Sequence, residues 1–275
     1  MPQPDSPMPH LDAAERADAE HRRPPRAAVL HEAIEEIGEE ELARAPSALT
    51  WSGLAAGLSM GFSMVASAAL RAYLPAVPVR HLIVSIGYST GFIIVILARQ
   101  QLFTENTLTV VLPLVATPSW EKFGRMLRLW GIVLVSNLVG IAFFPLAVAK
   151  APLFSQGLRD SIAALGFETM ARSPLVMFTK AVAGGWIIAT IVWLMPASES
   201  SRLWIIMGLT WLIAAAGLVH IIGSAGEVCY LVFERFIPWQ SAFTIYAGPT
   251  LAGNIVGGTF IFALTSHAQI RSDSR

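Results

Sequence analysis

Residues 99–109 read RQQLFTENTLT. Before them stands GFIIVILA (91–98) and after them VVLPLVA (110–116), so Arg99, Gln100, Gln101, Thr104, Glu105, Asn106 and Thr107 interrupt an apolar run. Such an interruption is either a loop in water or a helix that loses its winding inside a lipid layer. Composition decides between them. Of the 275 residues, 54% are hydrophobic and 14% charged, against roughly 25% charged in an ordinary soluble domain, and the mean hydropathy is +0.58. The chain reads as an all-α membrane protein whose first partner is the lipid bilayer. A net charge of zero gives no electrostatic footprint for nucleic acid. The single cysteine, Cys229, rules out a disulfide framework or a cysteine-based zinc site within one chain, and no motif calls for a metal or cofactor. The opening MPQPDSPMPH has no apolar core or cleavage site, so insertion is expected to begin at an internal segment.

Working outward, residues 1–28 are rich in Pro, Asp, Glu and Arg and read as disordered. Residues 29–45, VLHEAIEEIGEEELARA, place Leu30, Ile34, Ile37 and Leu42 at helical spacing on an acidic background, an amphipathic helix expected to rest on the cytoplasmic face. Six apolar regions follow: 48–70, 82–116, 129–149, 174–195, 203–236 and 246–266. A spanning helix needs about 20 apolar residues. The second and fifth regions are too long for one span and too short for two, and the fifth is broken by HIIGSAGE at 220–227. The order is whole, broken, whole, repeated once. Asn137-Leu138-Val139-Gly140 in the third region matches Asn254-Ile255-Val256-Gly257 in the sixth. Three is odd, so the second triplet starts from the opposite side. The expected fold is six transmembrane segments in two inverted three-segment repeats, segments two and five broken around a central site or pore. Non-helical backbone at that depth must be shielded by protein or line a water-filled path. The domains are then a tail at 1–46, a transmembrane domain at 47–267 and a short C-terminal tail at 268–275. Gly53, Gly57 and Gly61 make a face for close helix approach, and the Gly184-Gly185 and Gly257-Gly258 pairs read as packing too. Basic residues flanking the spans divide evenly. Discounting the long segment 150–180 puts both termini in the cytoplasm.

These pieces resemble the formate/nitrite transporter family of pentameric anion channels. The resemblance covers about 48–266. It rests on Leu102-Phe103-Thr104 after the broken second segment, Trp130 with SNLVG, FTKAVAGGWIIATIVW in the fourth segment, AAAGLVH ending at His220, and GNIVGG at 253–258. It implies an aquaporin-like fold, a homopentamer with one pore per protomer in a bacterial inner membrane, and a small monovalent weak-acid anion such as formate or nitrite as substrate. It also implies that Thr104 sits on the loop of segment two, that His220 is the central pore histidine and that Asn254 faces it. Tyr88, Phe92 and Ile213 would form the cytoplasmic constriction, with Phe103 joining the narrow part. The chain departs from the family's formate channels at Arg99, Gln100 and Gln101, at Val219, where they carry Glu, and at Gly185, where they carry Asn.

Each site residue has a functional and a plain reading. His220 titrates near neutrality and would exchange a proton with the anion; the plain reading is a histidine bonded to a helix-break carbonyl. Thr104 and Asn254 would hold a carboxylate without a counter-charge, or merely cap the unwound segments. Arg99 and Glu105 are expected to pair across the break, since buried charges are usually paired; otherwise Glu105 or Glu227 is solvated at a pore mouth and Arg99 draws anions in. An intramembrane serine protease is disfavoured, because Ser224 and His220 lie four apart on one segment without a nucleophile turn. A water or glycerol channel would need Asn-Pro-Ala loops where the chain reads TENT and IIGS. A non-conducting membrane protein whose tail recruits partners is the remaining alternative.

Overall fold

The computed structural model describes residues 12, 14–15, 25–151 and 153–273, so most of the proline-rich tail, with Arg16, Arg22 and Arg23, lies outside the described residues, as does Arg275. The described residues are helical, without a strand. We number the elements α1 (Ala27–Ala43), α2 (Pro46–Tyr73), α3 (Arg80–Leu97), α4 (Asn106–Ala116), α5 (Trp120–Lys150), α6 (Gln156–Met170), α7 (Pro174–Leu194), α8 (Arg202–Ala215), α9 (Ala225–Phe233) and α10 (Trp239–Ser272). Five of them, α2, α3, α5, α7 and α10, are long and apolar enough to cross a membrane. Two spans are assembled from pieces: α3 continues into α4, and α8 into α9, each pair joined by a non-helical stretch.

The glycine faces explain the tight packing. A Cβ on Gly57 would collide with the backbone of Asn137 and Gly140 on α5, and one on Gly185 would collide with the backbone of Asn254 on α10. The two triplets therefore use the same joint, α2 on α5 and α7 on α10. They run in opposite directions. Arg71 and Arg172, at the end of α2 and just before α7, line one vestibule, whereas the C-terminal end of α7 lines the other with α1. The described ends meet on the latter side, where His31 Nε2 lies 3.1 Å from His267 Nδ1. We call that side the tail side and the opposite one the far side.

Several boundaries differ from expectation. The third span begins at Trp120, capped by Ser119 Oγ accepting from Lys122 N–H at 3.1 Å. Its first two turns are charged at Glu121, Lys122, Arg125 and Arg128, which masks them in a hydropathy reading. The stretch 150–180 contains α6, which packs on α2 and α9. The last helix runs on through 268–272. And α1 is docked rather than resting: Leu30, Ile34 and Leu42 are buried as expected, but Ile37 is 43% exposed while His31 and Gly38 are buried. The true stripe steps by four, 30–34–38–42, and glycine at 38 lets α1 press against the backbone of Thr109 in α4.

Candidate functional site

Each break begins the same way. At the end of α3, Gln100 N–H donates to Val95 O (2.9 Å) and Arg99 N–H to Ile96 O (3.2 Å); at the end of α8, Leu218 N–H donates to Ile213 O (2.8 Å) and Gly217 N–H to Ala214 O (2.9 Å). These are Schellman turns, which require a left-handed residue after the helix cap. Gly217 meets that requirement at φ +61°, and Arg99 at φ +52°. The left-handed conformation is open to glycine and costs other residues roughly 1–2 kcal/mol.

Each break is then pinned by one asparagine. Asn137 Oδ1 accepts from Phe103 N–H (2.9 Å), while its Nδ2 donates to Gln101 O and Gly53 O (2.8 Å each). Asn254 Oδ1 accepts from Ile221 N–H (2.8 Å), while its Nδ2 donates to Ala181 O (2.8 Å) and Val219 O (3.2 Å). Both carboxamides are fully buried. A segment that has lost its helical bonds needs other partners for its backbone groups, and the matched tetrapeptides supply them. Asn254 therefore does not face His220 with a free amide. Its donor and acceptor are spent on the backbone on either side of that residue, the plain reading considered for it above. Asn137, its counterpart, was not singled out from the sequence, although the shared N-x-V-G was the signal that pointed to it.

The helix α10 adds two hydroxyls. It winds as π-helix over Ala242–Ala247 and Val256–Ala263. From the first stretch Tyr246 Oη donates to His220 O (3.0 Å) and Ile221 O (2.7 Å); from the second, Thr259 Oγ1 donates to Thr107 O (2.8 Å).

The two breaks meet at one contact, where Thr104 Oγ1 lies 2.5 Å from His220 Nε2, both residues fully buried. His220 Nδ1 accepts from Gly223 N–H (2.9 Å) and Ile222 N–H (3.3 Å). With Nδ1 an acceptor, the proton of the neutral imidazole sits on Nε2 and points to Thr104 Oγ1. The threonine hydroxyl proton is then left to donate elsewhere. Phe92 stands edge-on to the His220 ring with centroids 5.0 Å apart, and Tyr88 follows at 5.3 Å from Phe92. Phe103 packs on Trp130 at 5.7 Å, and Ile213 is fully buried near the end of α8.

A vestibule opens on each side of this contact. The far-side cavity, about 350 Å³, is lined by Arg71, Arg80, Tyr88, Arg172 and Glu227. The tail-side cavity, about 430 Å³, is lined by Glu41, Arg99, Gln100, Glu105 and Arg202. Tyr88 thus lies on the side away from the termini. The reason is that α3 starts at the far side, so its middle turns reach that vestibule first. Nor do Arg99 and Glu105 pair. Arg99 is exposed, and Glu105 Oε1 is buried without a hydrogen-bond partner. Both nevertheless line one cavity. Outside the spans, burial lowers the Arg172 guanidinium pKa, opposed first by Glu168 and then by Glu227.

Two broken spans, each pinned by a buried asparagine and touching at a Thr–His contact between two vestibules, define a channel-type membrane fold. The family model described as "Formate/nitrite transporter" matches residues 28–268, and the chain belongs to that family. It is 47% identical over 254 residues to the "Inner membrane protein YfdC" of Escherichia coli (strain K12), covering 92% of this chain and 82% of that protein. It is 25% identical over 196 residues to the "Uncharacterized transporter YrhG" of Bacillus subtilis (strain 168), 67% and 71% of the two chains. Among solved structures, an "FNT family ion channel" superposes with a TM-score of 0.76 at 18% identity, covering 88% of this chain and 99% of that one. A "Pentameric formate channel with formate bound" gives 0.70 at 20% identity, with 86% and 99% covered. Those two likenesses establish the fold.

Proposed function

We propose that this chain conducts small monovalent weak-acid anions, formate or nitrite among them, through a pore in each protomer. The protomers form a homopentamer in a bacterial inner membrane, with both termini cytoplasmic. Residues 47–267 form the channel and 1–46 its tail. The observation that carries this reading is the Thr104–His220 contact, buried between two arginine-bearing vestibules. Family membership supports the reading, as do a relative titled an inner membrane protein and a neighbour titled a pentameric formate channel. Arg172 on the far side and Arg99 with Arg202 on the tail side raise the local anion concentration. Tyr88, Phe92 and Ile213 narrow the path. At its centre Thr104 offers its hydroxyl proton to the anion while His220 Nε2–H backs the threonine oxygen. A neutral donor chain of this kind binds an anion weakly enough to let it go. We assign His220 a hydrogen bond to relay rather than a whole proton, because its Nδ1 already accepts two backbone N–H groups.

The test is flux of formate, nitrite, acetate and hydrosulfide into liposomes carrying the purified protein. At least one is expected to pass well above protein-free vesicles. His220→Phe is expected to cut that flux by roughly two- to tenfold, the worth of a neutral hydrogen bond of about 0.5–1.5 kcal/mol. Wild-type vesicles no leakier than empty ones would overturn this reading in favour of a non-conducting, partner-recruiting protein or a neutral-solute channel.

A further inference from the structure

We infer that Glu105 exchanges the proton of the permeating weak acid at the inner end of the tail-side vestibule, a step that His220 does not perform. The inference rests on the anion-transport reading above and deepens it.

A weak acid that crosses an apolar constriction does so most cheaply without charge, because a bare anion there forfeits its hydration. It must then gain a proton on one side and lose it on the other. The central imidazole is badly placed to supply it. A second proton would have to sit on Nδ1, and two backbone N–H groups already point at that atom. Taking up the proton would set three donors against one another in a buried site.

Glu105 is placed differently. It is the residue after Thr104, and its carboxyl lines the tail-side cavity. Its Oε1 is buried and has no hydrogen-bond partner, and the same holds for Gln100 Oε1 on the same cavity wall. Two orphan acceptors in one wall call for a ligand that brings an O–H donor, since an unmade hydrogen bond at a buried oxygen is costly. An undissociated carboxylic or nitrous acid carries that O–H; its conjugate anion does not. The same vestibule holds what the anion needs once the proton is gone, the guanidinium groups of Arg99 and Arg202. The acid's O–H bond breaks, an O–H bond forms on Glu105, the anion leaves past the arginines, and Glu105 later gives its proton to vestibule water. Uptake in the other direction reverses each move.

The groups facing Glu105 are few. From α1 come Glu40 and Glu41, the latter ion-paired with Arg44 at 2.9 Å. Arg99 belongs to its own segment, Arg202 begins α8, and the end of α7 offers only apolar Ile191, Val192, Met195 and Pro196. No cation is bonded to the carboxyl among the described residues. It is therefore free to take a proton and release it, whereas a carboxylate locked in an ion pair would hold its charge.

The experiment compares wild type, Glu105→Gln and Glu105→Asp in liposomes, following formate uptake and internal pH together. Wild type is expected to acidify the lumen in step with formate taken up. Glu105→Gln is expected to lower the proton-to-formate ratio at least tenfold while formate still moves as a charged species, and Glu105→Asp to restore coupling at a reduced rate. An unchanged ratio in Glu105→Gln overturns the assignment while leaving anion transport intact; wild type that moves no formate, nitrite, acetate or hydrosulfide overturns the transport reading itself. Should Glu105→Gln fail to elute as the wild-type oligomer, Glu105→Asp decides alone. Drawing the carboxyl back by one methylene is expected to slow coupled uptake, and an unaltered rate refutes the inference.

Discussion

The two breaks share a scaffold and differ in content. Both start with a Schellman turn, both are pinned by an asparagine from the third helix of their own triplet, and both pack that helix on glycine from the first. Yet the left-handed position is Arg99 in one and Gly217 in the other. The hydroxyl at the centre comes from break one and the imidazole from break two. A buried glutamate beside each vestibule sits at a different step, Glu105 immediately after Thr104 and Glu227 inside α9. Backbone geometry is conserved between the halves because any other arrangement leaves buried N–H and C=O groups unmet. Side chains that carry none of those backbone bonds escape that constraint and differ between the halves.

The equivalence of the clamps is the feature whose loss has the largest consequence. Asn137→Ala and Asn254→Ala each strand one buried N–H and one carbonyl of a break, at about 1–3 kcal/mol for each unmet group. Both variants are expected to lose on the order of 2–6 kcal/mol, seen as a collapse of thermal stability in detergent. If Asn254→Ala instead stays as stable as wild type and loses conductance, it belongs to the permeation path and the symmetry of the clamps is false.

A smaller effect of opposite sign separates the two turns. Arg99→Gly makes break one resemble break two and removes a left-handed penalty of about 1 kcal/mol. We expect a higher thermal midpoint together with lower anion flux, the signature of a strained residue kept for its charge. The mirror change, Gly217→Ala, is expected to destabilise by a similar amount. Its Cβ finds Arg172 and Lys180 nitrogen atoms at 3.4 and 3.5 Å, close but not colliding, so the cost there is one of backbone conformation.

The smallest expected effect concerns the tail, which only break one touches. Burial, and then His267, lower the His31 pKa from its ordinary 6.5, with Glu35 opposing. The docked form of α1 thus binds a proton less readily than the undocked form. Its stability is complete above pH 6.5 and is lost as pH falls below that value through the lowered pKa. Proteolysis or hydrogen exchange within 27–43 should accelerate over that interval, and His31→Gln should flatten the profile.

The sequence disclosed the helical class, the six spans and the two interruptions, because apolar length and polar breaks are local signals. The family came from motif order, which singled out Thr104 and His220 separately but not their contact. What stayed hidden depended on distant partners. Asn254 looked like a ligand for the anion because a buried amide in a pore helix and a clamp on a neighbouring backbone read alike until the carbonyls it reaches are known. The same blindness hid Asn137. Arg99 and Glu105 were expected to pair because buried charges usually do, but Arg99 is exposed and so needs no buried partner. Helix α6 was missed because Arg159 and Asp160 sit inside its apolar spacing of Leu158, Ile162 and Gly166.

The winding of α10 ties both interruptions to a single rod. Tyr246 and Asn254 reach back to 219–221, and Thr259 reaches across to 107. Each residue of an α-helix turns its successor by about 100°, and somewhat less in the wider π turns, so deleting one residue between 254 and 259 would swing the hydroxyl at 259 about a quarter-circle off its target and leave the grip on His220 untouched. The wider turns are spacers that set the phase between two grips on one shaft, and a slide or twist of that shaft would reach both halves of the conduit at once.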